Sequence, residues 1–188
     1  MISFERLTNL LKFYKEEKDR NPFYTIHLHY AVNWWSLVFH FNPLPMIPIC
    51  HLFHINTSTL DVFNALTSQE GLSAWYTKTE NGNAQEGEHV TFHYGSMQVT
   101  AAIKRYVPGE CLEWECIASS LPMVGHTFRF DLDENDGKTR VRFAHHGFDV
   151  QEDMYANMNY SWAKYLESLR QYCQTGIGEA FGSQHYRI

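Results

Sequence analysis

Residues 125–148 read GHTFRFDLDENDGKTRVRFAHHGF. In the first half His126, Phe128, Phe130 and Leu132 alternate with Thr127, Arg129 and Asp131. In the second half Val141, Phe143 and His145 alternate with Arg140, Arg142 and Ala144. Period-2 alternation puts one set on each face of a strand. Between the halves, Glu134-Asn135-Asp136-Gly137 carries the Asp-Gly pair that favours a tight hairpin, because both central residues of such a turn need positive φ. The segment predicts two antiparallel strands with one apolar and one polar face, the pattern of a sheet wet on one side.

The same pattern extends upstream. Over 89–95, Val90, Phe92 and Tyr94 oppose His89, Thr91 and His93. After Gly95-Ser96, Met97, Val99, Ala101 and Ile103 stay in phase as far as Pro108-Gly109, and Leu112, Trp114 and Cys116 then oppose Cys111, Glu113 and Glu115. Ile47 to Asn56 reads as a first strand. Asn56 or Ser58 can cap a short helix to Leu66, and Ser68 to Trp75 predicts a second, before a turn at Glu80-Asn81-Gly82-Asn83. Downstream, Met154, Met158, Trp162, Tyr165, Leu166, Leu169, Tyr172 and Cys173 form one apolar stripe at helical spacing, stopped by Gly176 or Gly178. Strand, two short helices, a meander and a long helix predict an α+β fold in which a curved antiparallel sheet wraps the C-terminal helix.

The 188 residues carry 15 Lys+Arg against 21 Asp+Glu, a net charge of -6. That deficit of cations argues against nucleic acid, whose binding depends on displacing phosphate counterions. With 44% hydrophobic and 19% charged residues the chain can bury a sizeable core, and 15% aromatics is the unusual figure. Residues 1–50 hold five cations and four acids, leaving -7 for residues 51–188. Residues 3–20 predict an amphipathic helix through Phe4, Leu7, Leu10, Leu11 and Tyr14. From Arg20 to Asp61 no charged side chain intervenes, but Phe23 to Phe41 is broken by His27, His29, Asn33, Ser36 and His40 and followed by Pro43, Pro45 and Pro48. Neither a membrane span nor a signal peptide matches, so no stable membrane insertion and a cytoplasmic location are expected.

Four cysteines, Cys50, Cys111, Cys116 and Cys173, contain no CxxC and are too scattered for a disulfide framework. Among eleven histidines, His51 and His54 are three apart on a strand and His145 and His146 are adjacent, so neither pair converges on one face. No metal and no cofactor is expected. Arg129, Arg140 and Arg142 read as a charge-balanced outer sheet face.

Three segments, HLFHINTSTLDVFNALTSQEGLSAWYT (51–77), GHTFRFDLDENDGKTRVRFAHHGF (125–148) and SWAKYLESLRQYCQTGIGEAF (161–181), in this order, resemble the START-like or SRPBCC superfamily with its Bet v 1-like helix-grip fold. The resemblance is to the branch related to the activator of heat-shock protein 90 ATPase, and it covers about residues 47–181. It implies a ligand space between sheet and helix, in a superfamily that includes lipid carriers, cyclases, hormone receptors and co-chaperones. Residues 1–45 lie outside the pattern and read as an N-terminal extension, with Met46 an alternative start. The START-like domain then spans 46–181, and 182–188 form a tail.

The expected cavity lining is Phe92, Met97, Trp114, Phe128 and Phe143 from the sheet and Met158 and Trp162 from the helix. Trp75, at the end of the second short helix, reads by default as a core residue whose N–H needs one partner, and otherwise as a gate to the cavity. His145 shares the inward face of its strand, where it can contact a ligand, act as a base, or be a buried structural histidine bonded to backbone or a tyrosine. The leading expectation is non-catalytic binding of a small hydrophobic molecule, a lipid or similar. The alternatives are a co-chaperone-like partner of a chaperone ATPase, and a cyclase- or hydrolase-like enzyme using the same cavity.

Overall fold

The computed structural model describes residues 47–186. The helix expected over 3–20, the aromatic run Phe23 to Phe41 and the Met46 boundary lie outside them. Strands β1 (Ile49–Ile55), β2 (Lys78–Glu80), β3 (His89–Tyr94), β4 (Met97–Val107), β5 (Cys111–Ser119), β6 (Thr127–Asn135) and β7 (Lys138–His146) are joined by helices α1 (Thr59–Thr67) and α2 (Gln69–Trp75), and α3 (Asp153–Thr175) closes the fold. The seven strands form one sheet in the order β1-β7-β6-β5-β4-β3-β2, every neighbouring pair antiparallel.

The hairpin at 125–148 forms with Asn135 opposite Lys138, and Asp136 adopts φ 55 and Gly137 φ 71 in its turn. β1 pairs with β7, placing Ile49 opposite His145, so the first strand joins the sheet through the segment that decides its register. Two irregularities in the β4–β5 register, at Thr100/Ala101 and Ile103/Arg105, occur in its longest strand. Such bulges increase local twist and help a sheet curl around a helix. β2 was not expected from the sequence, because three residues are too short to show alternation.

Ser58, the second of the two expected caps, accepts the Asp61 N–H at 3.1 Å. Ser68 closes α1 through its own N–H to the Asn64 carbonyl and opens α2 by accepting the Gly71 N–H at 3.0 Å. One residue thus sets the corner between the two helices. α3 stops at Gly176, whose φ of 76 is the left-handed cap glycine adopts without steric cost.

The concave face of the sheet, α1, α2 and α3 share one apolar core in which Phe63, Leu66, Leu72, Leu112, Phe130 and Leu169 are buried. On the convex face Arg129 bridges Asp131 at 2.7 Å and Glu113 at 3.0 Å, while Arg140 and Arg142 share Asp133. This is the charge-balanced surface expected, and each exposed pair adds at most about 1 kcal/mol. Cys116 belongs to the core and Cys111 lies outside it beside Arg129 and Asp131, on opposite faces of β5.

Candidate functional site

The core does not fill all the space between sheet and α3. A cavity of about 320 Å³ opens between β3, β4, β5 and β6 on one side and α3 on the other, at the lower end of the roughly 300–1,000 Å³ of small-molecule sites. Five of the residues expected from strand parity and helical spacing, Phe92, Trp114, Phe128, Met158 and Trp162, line it. Met97 lines it too, from the rim, where it is 43% exposed.

The other three expected residues stand behind the wall. Trp75 is fully buried, its indole N–H donates to the Ala65 carbonyl at 2.9 Å, and it ties α2 to α1 instead of gating the cavity. Phe143 points inward as expected but is covered by Trp162, with ring centroids 4.3 Å apart. His145 also points inward, and it too lies under Trp162 and Phe128.

The hydrogen bonds of His145 fix its state. Trp162 Nε1–H, which can only donate, reaches His145 Nδ1 at 3.0 Å, so Nδ1 is the unprotonated nitrogen. The imidazole proton is then on Nε2, which donates to His126 Nδ1 at 2.9 Å. Neither the backbone nor a tyrosine is the partner. Burial holds the His145 pKa down at about 3, with the neighbouring His126 and His146 adding to the effect, and burial also lowers His126. With both nitrogens engaged inside the wall, His145 touches no cavity space. It is a positioning residue that turns the Trp162 N–H away from the cavity and leaves a carbon ring face toward it.

Several lining residues escaped the sequence reading. Tyr76 follows Trp75 and stacks on it at 4.9 Å, with its ring also near-parallel to those of Trp162 at 5.4 Å and Trp114 at 6.5 Å. Tyr165, read only as part of the helix stripe, meets Tyr76 edge-on at 4.9 Å. Tyr94, read only as an inward strand residue, lies 5.8 Å from Tyr76. The segment after α3 supplies Phe181 and Tyr186. It is anchored by Phe181 N–H to the Tyr76 carbonyl at 2.8 Å. Its path requires Gly178, where a Cβ would lie 2.4 Å from the Ala74 carbonyl oxygen.

The polar groups at the cavity are the phenols of Tyr76, Tyr94, Tyr165 and Tyr186, with Gln98, Asn157 and Ser161. Burial raises the pKa of Tyr76, Tyr94 and Tyr165, keeping these phenols protonated. No described lining residue is Asp, Glu, Lys, Arg, His or Cys. Among the described residues no group of three or more His, Cys, Asp or Glu comes together to hold a metal ion, and no helix is long and apolar enough to cross a membrane.

A family model described as activator of Hsp90 ATPase homolog 1-like protein matches residues 56–174, more than half of the chain. The chain belongs to this family. No curated protein matches it. Among solved structures, the Aha1 dimer from Colwellia psychrerythraea is 26% identical with a TM-score of 0.66, covering 71% of this chain and 100% of that one. A Staphylococcus saprophyticus protein is 17% identical with a TM-score of 0.59, covering 70% of this chain and 95% of its own. CalU16 from Micromonospora echinospora is 18% identical with a TM-score of 0.56, covering 68% and 74% respectively. The family member and these neighbours share the helix-grip fold expected from the three sequence segments.

Proposed function

We propose that this protein is a non-catalytic, cytoplasmic binding protein for a small hydrophobic molecule held between the sheet and α3. The observation that carries this reading is the hollow, about 320 Å³, in an otherwise close-packed core. Empty apolar space forfeits dispersion contacts, so a family fold that maintains it gains most when a ligand fills it. Binding is favoured over catalysis by the lining itself. General acid or base work at neutral pH needs a group that titrates there. His145, the candidate base, is held neutral with both nitrogens occupied.

The test is a fluorescence titration with N-phenyl-1-naphthylamine, a neutral probe that brightens in apolar sites. Saturable 1:1 binding is expected, and it should vanish in Ser161→Trp, which fills the cavity from α3, with circular dichroism unchanged. Absence of saturable binding, or equal binding by the filled variant, overturns the reading.

Membership in a family described by an ATPase activator favours a second reading, a partner of a chaperone ATPase. Purified protein would then change the ATP turnover of such a chaperone. Unchanged turnover at saturating protein removes it.

A further inference from the structure

The sheet ends in two edges of different chemistry. At one edge β2 has three residues, Lys78, Thr79 and Glu80, and Glu80 pairs with His93 of β3 at 3.2 Å. A short, charged edge strand is one of the ways folded proteins stop a sheet from pairing further. At the other edge β1 has seven residues, ICHLFHI, with no Asp, Glu, Lys or Arg. Pro48 precedes it, and its register with β7 runs without a bulge from Ile49 opposite His145 to Ile55 opposite Thr139. Cys50, Leu52 and His54 are exposed on the convex face, Leu52 at 64%. A long, regular, uncharged edge offers backbone donors and acceptors that a further strand would satisfy.

The uncharged surface continues from β1 onto α3. Among the strands α3 comes closest to β1, and the Tyr155 hydroxyl donates to the Pro48 carbonyl at 3.3 Å. The groove between the two elements includes His51 from the strand and Ala156, Asn159, Tyr160 and Ala163 from the helix. These four helix residues recur at helical spacing as one exposed face, with Tyr160 at 67%. Lys164, the cation nearest them in the chain, lies over the rings of Tyr160 and Tyr186. Residues 51–188 carry a net charge of -7, yet none of it falls on β1 or on these four helix residues. Depletion of charge is the compositional mark of the centre of a protein interface.

We infer that β1 and this face of α3 dock a second copy of the chain, with the two β1 strands antiparallel about a two-fold axis at Leu52. Centring on Leu52 overlaps all seven residues of the strand. Leu52 then faces Leu52 of the second copy, Cys50 faces its His54, His51 its Phe53 and Ile49 its Ile55. No charges meet, and inward side chains stay beside inward side chains. Such an axis is normal to the sheet and sets both α3 helices on the same face, so their uncharged stripes meet above the joined strands. A partner of opposite charge would find nothing to pair with on this strip, whereas a second copy brings an equally uncharged one. The inference is independent of what fills the cavity, which β3, β4, β5 and β6 line on the sheet side.

The test is analytical ultracentrifugation of the full-length protein. The wild type is expected to sediment at twice the chain mass, with a dissociation constant below about 10 μM. Leu52→Lys sets two cations against each other on the axis, at a position that water reaches in the single chain, and should weaken the dimer by about tenfold or more. Leu52→Glu should do the same. Mixing the Lys and Glu variants should restore a dimer, because opposite charges then face each other. Tyr160→Glu, whose carboxylate can pair with Lys164 four residues on, should weaken the dimer from the α3 side. Val124→Lys alters an equally exposed residue, at 65%, between β5 and β6 and should leave the dimer intact. Amide exchange across β1 should be slow in the wild type and faster in Leu52→Lys.

A monomeric wild type overturns the proposal, and slow exchange at β1 in that monomer would assign the edge to residues 1–46 of the same chain. A dimer that persists in both Leu52 variants, or that Val124→Lys dissolves equally, lies elsewhere and overturns it too. Failure of the mixed variants to pair refutes the axis at Leu52, and a Tyr160→Glu dimer of wild-type strength removes α3 from the interface. The wild-type mass needs no variant, so a folding defect cannot rescue the proposal.

Discussion

The two ends of the space under α3 are built from similar residues and behave differently. At one end Phe143 and His145 pack beneath Trp162, with Phe148 against His145, and the polar atoms run in a directed chain from Trp162 through His145 to His126. At the other end Tyr76, Tyr94 and Tyr165 line empty space. Both ends are aromatic and both face the same helix. Their difference is whether the protein's own side chains fill the space beneath the helix. The filled end is expected to carry stability and the hollow end to carry recognition.

The comparison breaks most visibly at the filled end. His145→Ala removes a buried ring and leaves the Trp162 N–H and the His126 acceptor unpaired, so a loss of about 4 kcal/mol in denaturant unfolding is expected. A loss below about 0.5 kcal/mol would mean that the chain is not structural.

Acid comes next. His145 is neutral when folded, with a pKa near 3, while the unfolded chain takes a proton at its ordinary 6.5. The unfolded state therefore binds more protons, stability rises with pH, and the full contribution is present above about 6.5 and lost as pH falls toward 3. Between pH 7 and pH 4 the His145 contribution should fall on the order of 3 kcal/mol. His145→Gln should flatten that slope, and an unaltered slope would assign the acid sensitivity elsewhere.

At the hollow end, Met97→Ala at the half-exposed rim should cost less than about 1 kcal/mol of stability, yet speed probe release in stopped-flow measurements. The smallest effect belongs to the convex face, where Arg142→Ala should change stability by about 0.5 kcal/mol and probe affinity not at all. A large change in affinity there would mean that recognition is not confined to the cavity.

Much of this division was legible in the sequence. Strand parity correctly turned Phe92, Trp114, Phe128, Phe143 and His145 inward, and helical spacing did the same for Met158 and Trp162. Parity reports a face, however, and not a depth along the cleft. Phe143 and His145 share the inward face with Phe128 but fall where Trp162 crosses over them. Trp75 takes the core position that was the default reading and not the gate weighed beside it, whereas the neighbouring Tyr76, one residue further on, enters the wall. Phe181 and Tyr186 follow the helix stop, where no period exists to read, and only the backbone bond to Tyr76 and the close passage at Gly178 bring them to the cavity.

The most direct test uses the methionine methyl groups. Met97, Met123 and Met158 line the cavity, whereas Met154 packs on the same helix beside the core without lining it. In a ¹³C-methyl NMR titration with N-phenyl-1-naphthylamine, ring currents should shift the Met97, Met123 and Met158 methyls in a saturable manner and leave Met154 in place. Shifts absent from those three, or no larger than that of Met154, would contradict a ligand in the hollow end.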